Sequence, residues 1–115
     1  FPYTTLFRSY RDGMHDGRIV VTDKEWWQNF ESLTGFLDCY QATGDERYLD
    51  TFIDLWEFDQ KYFYNPEAGE SRQLLKADGT PIIEDAGNQW KCIYHTDRAM
   101  MECCLRIEDM NRENE

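Results

Sequence analysis

The sequence predicts an all-α chain: three long helices, with a small β-hairpin or ordered loop between the second and the third. Three observations predict it. Apolar residues recur at helical steps of three and four in three separate stretches. A Thr-Gly-Asp turn divides the first two stretches. Residues 65–90 break into short pieces punctuated by Gly, Pro and Asn.

Residues 2–9, PYTTLFRS, fit no later periodicity and look like the translation of a sequencing-library adapter. Residues 1–9 are therefore set aside as an artefact, and 10–115 are read as one unit. On that expectation the natural sequence starts near Tyr10, and the chain is a C-terminal fragment of a longer protein. A loop-like stretch at 11–18 leads into a β-branched run, Ile19, Val20 and Val21. Thr22 with Glu25 three residues on forms a capping-box pattern, which predicts a helix start there. Trp26, Phe30, Leu33, Leu37 and Tyr40 make the buried stripe of that first helix, which should end near Thr43-Gly44.

Asp45 is placed to cap the second helix at once. That helix is expected over roughly 46–63, carrying Leu49, Phe52, Ile53, Trp56 and Phe63, with a stop at Asn65-Pro66. Asp78-Gly79 is the best hairpin-turn signal in the chain. From about Thr96 the pattern is helical again, through Ala99, Met100, Cys103, Leu105 and Ile107, before a charged tail that should fray.

The 115 residues carry 23 acidic against 12 basic side chains, a formal charge of -11. Such a chain repels phosphate backbones and anionic lipid surfaces, so neither nucleic acid nor membrane is an expected partner. Nor does any stretch approach the roughly 18–20 apolar residues of a membrane span. Of the four cysteines, Cys39 stands alone and Cys103 and Cys104 are neighbours. Cys92 with His95 does not complete the separated pairs that structural zinc prefers, so no metal is expected. Free thiols fit a reducing, cytoplasmic setting.

Trp26 and Trp27 are adjacent and so point about 100° apart, and the second helix is similarly apolar on more than one side. Both helices call for further partners. The step from Trp27 to His95, roughly 70 residues, matches one helical hairpin plus its connection, the mark of a stacked repeat. Trp27 and Glu31, spaced i, i+4, project an indole and a carboxylate from one side of the first helix. Trp26 belongs to the buried stripe and reads first as core. Read alone, His95 at a helix start is more readily a solvated or capping residue than a base, and His15, in a Gly-rich loop, has no assigned role.

KEWWQNFESLTGFLDCYQATGDERYLDTFIDLWEF, then GE, DGTP and WKCIYHTDRAMME, in this order, resemble the C-terminal part of the N-acylglucosamine 2-epimerase family. That family includes cellobiose 2-epimerases and mannose-type aldose-ketose isomerases. The likeness covers about residues 15–108. It implies an (α/α)6 toroid of twelve helices, with the first and third helices here inner and the second outer. The chain would supply a quarter to a third of that ring.

Interconverting a sugar with its carbon-2 epimer or ketose removes a proton beside the carbonyl of the ring-opened form. Histidine suits that task, and inversion at carbon 2 needs a second base on the opposite face. The resemblance implies that His95 is one of the acid/base pair, with its counterpart upstream of this chain. It also implies that Trp27 and Glu31 line the sugar cleft, the indole as an apolar plate and the carboxylate as hydrogen-bond acceptor and partner of the histidine. Arg98 would hold a sugar oxygen or fix Glu31, Trp90 would wall the pocket, and Trp26 is included among the sugar-binding residues. No cofactor is implied. The intact parent is expected to bind a mono- or disaccharide and to form a homodimer.

Ile93-Tyr94-His95 replaces the family's common Pro-Tyr-His, Thr96-Asp97 replaces Asn-Gly, and Ser71 stands where an aromatic often follows the Gly-Glu pair. A carbohydrate-binding (α/α) protein that keeps the Trp plates without chemistry is the alternative. A hydrolase ranks lower, because Glu31 has no second carboxylate at a defined separation.

Overall fold

The first helix, α1 (Trp26–Thr43), is the centre of the molecule because its apolar stripe is contacted on two sides. The chain is described here over residues 10–115 in a computed structural model, and the adapter-like residues 1–9 lie outside the described residues. Trp26, Phe30, Leu33 and Leu37 are buried, with Leu33 and Leu37 fully excluded from solvent, as the periodicity predicts. Burying each such leucine contributes about 2 kcal/mol. Gly44, at φ +68°, ends the helix in the left-handed conformation that glycine adopts freely, and its N–H closes onto Tyr40 O.

Asp45 then caps α2 (Glu46–Phe58), its carboxylate accepting from Arg47 N at 3.0 Å. A π-helical turn over Asp59–Phe63 follows. Its i→i+5 winding brings Phe63 close above Phe58, and the two rings meet at 6.2 Å. Phe63 also meets Phe30 of α1 at 6.1 Å, so the turn closes the core between the first two helices. Of the apolar residues on α2, Phe52, Leu55 and Phe58 are buried and Ile53 is exposed.

Among the described residues, three small sheets accompany the helices. β1 (Asp12–Gly13) pairs antiparallel with β2 (Ile19–Val21), and β4 (Tyr64–Asn65) with β5 (Glu70–Ser71). The third sheet has the order β3 (Lys24–Glu25), β6 (Leu74–Leu75), β7 (Pro81–Ile83), all antiparallel. The β6–β7 hairpin turns at Asp78-Gly79, as expected, with Gly79 at φ +92° against the Tyr62 ring. The capping box at Thr22 does not form. Lys24 and Glu25 are held in the sheet, the Glu25 side chain reaches Arg11 at 3.4 Å, and the helix begins only at Trp26. Trp26 N donates to Gln73 O at 3.0 Å, so the hairpin serves an amide that a side-chain cap would otherwise serve.

The third helix, α3 (Tyr94–Glu113), starts two residues before the expected Thr96 and persists through the charged tail. Ala99 and Cys103 are buried against α1, but Leu105 and Ile107 are exposed. The true inner face runs Ala99, Cys103, Arg106, Met110, and Leu105 lies about 200° round from Cys103. Contacts between α1 and α3 climb together: Glu31 to His95, Thr34 Oγ1 to Cys103 Sγ at 3.8 Å, Asp38 to Arg106 at 2.5 Å. The two helices are therefore parallel, with their first turns at the same end. No described helix is long and apolar enough to cross a membrane.

Candidate active site

The parallel pairing places side chains 64 positions apart within hydrogen-bond reach. Trp27 and Glu31 leave the first turns of α1, and His95 and Arg98 leave the first turn of α3. Glu31 Oε1 lies 2.7 Å from His95 Nδ1 and 2.5 Å from an Arg98 guanidinium nitrogen. A carboxylate only accepts, so Nδ1 carries the hydrogen at this contact, and Nε2 of the neutral ring is the nitrogen with a free lone pair. Burial pushes the Glu31 carboxyl up, but hydrogen bonds from Arg98 and His95 outweigh it and hold the group below the usual glutamate range.

Aromatic rings fix the imidazole on three sides. Trp27 lies 5.9 Å away at a 40° tilt, Trp26 6.1 Å away edge-on, and Tyr94 5.0 Å away edge-on. Trp27 is 40% exposed and Trp26 only 5%, so the adjacent indoles divide the work: one faces solvent beside Glu31, the other is core behind the histidine. Arg98 also donates to Tyr94 Oη at 2.6 Å and stacks over that ring, so its fork is engaged within the protein. An open depression of about 410 Å³ adjoins the cluster, lined by Tyr10, Trp27, Gln28, Glu31 and Ser32.

Trp90 is 78% exposed and, like His95, Arg98 and Trp26, is not among the residues lining that depression, so the imidazole adjoins it only through Trp27 and Glu31. Its backbone N–H, with that of Lys91, donates to Asn88 Oδ1. Tyr10, Gln28 and Ser32 had no assigned role in the sequence. Helical spacing could have found the last two, since Gln28 and Ser32 stand i, i+4 on the turns that carry Trp27 and Glu31. Glu70 and Lys91 were likewise unassigned. They form a buried ion pair just behind the start of α3, invisible to local pattern because 21 positions separate them. Among the described residues, no three His, Cys, Asp or Glu side chains converge as a metal site.

The chain is similar to known proteins over most of its length. A cellobiose 2-epimerase from Ruminococcus albus is 34% identical over 97 residues, 83% of this chain and 25% of the relative. The structure of cellobiose 2-epimerase from Spirochaeta thermophila superposes with a TM-score of 0.82 at 29% identity, covering 94% of this chain and 27% of that one. A D-mannose isomerase structure superposes with a TM-score of 0.72 at 28% identity, over 77% of this chain and 23% of that one. The chain thus spans about a quarter of the length of the curated relatives it matches. The N-acylglucosamine 2-epimerase family profile matches residues 10–99, an interval that takes in both helix starts and the whole Trp27, Glu31, His95, Arg98 cluster. The chain belongs to the N-acylglucosamine 2-epimerase family.

Proposed function

We propose that this chain is the C-terminal part of a sugar 2-epimerase or aldose-ketose isomerase in which His95 moves a proton at carbon 2 of a ring-opened sugar. The observation that carries this is the His95 Nδ1–Glu31 Oε1 contact at 2.7 Å, beside an exposed indole and an open depression. Glu31 holds the ring in the tautomer whose Nε2 accepts the carbon-bound proton, and Arg98 balances the carboxylate charge. Trp27 offers a flat apolar face for the C–H side of the sugar. One base suffices to carry a proton from carbon 2 to carbon 1 on a single face, whereas inversion at carbon 2 needs a second base from outside this chain. Relatives named for both outcomes, cellobiose 2-epimerase and D-mannose isomerase, fit that shared step.

The parallel α1 and α3 would be neighbouring inner helices of an (α/α)6 toroid, with α2 outside. Exposed apolar residues such as Ile53, Met101 and Leu105 support this, since further helices would cover them. The 115 residues alone would then have little or no activity. The test is solvent-deuterium incorporation at carbon 2 of cellobiose, mannose or N-acetylglucosamine by the complete enzyme. Incorporation should occur with at least one sugar and vanish in His95→Asn. Sugar binding without any incorporation would instead favour a non-catalytic carbohydrate-binding protein.

A further inference from the structure

We propose that the Glu70–Lys91 ion pair is a positioning device for His95, one that anchors the chain just before the imidazole. This rests on the reading of His95 as the base. The Lys91 ammonium is fully buried, donates to Glu70 Oε2 and to Ala86 O at 2.7 Å, and lies 5.8 Å from the Trp26 ring. The same Glu70 carboxylate accepts from Ser71 Oγ at 3.0 Å. Lys91 precedes His95 by four residues, so a carboxylate from β5 grips the chain just before the histidine.

Two further observations give that grip its purpose. α3 begins without a side-chain cap, so its first turn is fixed by tertiary contacts instead. A buried ion pair is a poor device for stability alone, because an apolar pair of the same volume often does as well. Its value lies in setting register. Trp26, in contact range of the Lys91 cation on one side and of the His95 ring on the other, passes the same constraint to the back of the imidazole.

The deciding variant is the double replacement Glu70→Gln/Lys91→Met, which removes both charges at nearly constant volume and avoids leaving one buried charge alone. In the complete enzyme with 15N-labelled histidine, the His95 signals are those missing from His95→Asn. In the wild type they should show a protonated Nδ1 and a free Nε2. In the folded double variant they should move toward averaged tautomers, with kcat lowered about tenfold and KM within about twofold of wild type. Ser71→Ala, which deletes one hydrogen bond to the Glu70 carboxylate, should shift the same signals by less, and it decides the matter should the double variant not fold. An unchanged His95 spectrum in the folded variant overturns the proposal, whatever the kcat. A wild type that turns over no sugar would count against the functional reading and leave this spectral comparison intact.

Discussion

Glu31→Gln should separate catalysis from stability at this site. Both His95 Nδ1 and Arg98 converge on the same oxygen, Oε1, at 2.7 and 2.5 Å. An amide can keep an oxygen there, so the geometry is retained while the charge is lost. The Glu31 side chain is 26% exposed and that of Arg98 45%, which places the pair in the solvent-screened range, about 0–1 kcal/mol of stability. Arg98 keeps its bond to Tyr94 Oη, further limiting the structural loss. The chemical loss is larger. Hydrogen bonds to a charged acceptor are roughly twice as strong as neutral ones, so the imidazole loses its tautomer preference when the carboxylate goes. Positioned acid-base catalysis is worth about 10²–10⁴-fold, and a base left in place but poorly oriented should fall near the lower figure, about 10². Deuterium incorporation at carbon 2 and a thermal melt of the same sample measure both effects. A rate within about threefold of wild type, or a loss of rate explained by loss of folded protein, would refute the reasoning.

Gly79→Ala should cost at least about 2 kcal/mol in urea denaturation, because a left-handed residue is strained and the new Cβ would lie 2.3 Å from the Tyr62 ring; an unchanged midpoint contradicts the hairpin geometry. Cys39, Cys92 and Cys104 are exposed and should react with a thiol reagent first, whereas burial pushes the Cys103 thiol up and should make it last to react under native conditions. Equal labelling of all four by mass spectrometry would count against the α1–α3 contact. Burial raises Glu31 and Glu70, but their hydrogen bonds lower both below the usual 4.5, so each stabilises the fold above that value and ceases to as pH falls beneath it. Glu25, raised chiefly by burial, has the opposite sign and offsets part of this. Melting temperature should hold down to about pH 5 and then decline; a constant value to about pH 3 would contradict those pairings.

Spacing and periodicity read what lies within one turn or one hairpin, whereas the Glu31–His95 partnership, 64 positions apart, comes only from the family resemblance. The steps Trp26, Phe30, Leu33, Leu37, the Gly44 stop, the Asp45 cap and the Asp78-Gly79 turn depend on neighbours a few positions away, and all are present. The i, i+4 relation of Trp27 to Glu31 is of the same kind. Where a distant segment competes, local pattern misleads. Thr22 and Glu25 fit a capping box, but pairing of Lys24-Glu25 with Leu74-Leu75 holds that backbone extended. In α3, Leu105 and Ile107 are apolar without facing α1, so apolarity alone does not mark the side of a helix that meets its neighbour. The parallel pairing of α1 and α3, which brings His95 to Glu31, depends on how the 36 residues from 58 to 93 return the chain, and no local spacing encodes it.

The most direct measurement is a structure of the complete enzyme with a bound sugar alcohol, an open-chain analogue that has no carbonyl and cannot react. The prediction is that carbon 2 lies within about 3.5 Å of His95 Nε2, with Trp27 against the chain and the Nδ1–Glu31 contact retained. A sugar alcohol bound with carbon 2 beyond reach of the imidazole, or seated away from Trp27 and Glu31, would contradict the proton-transfer role.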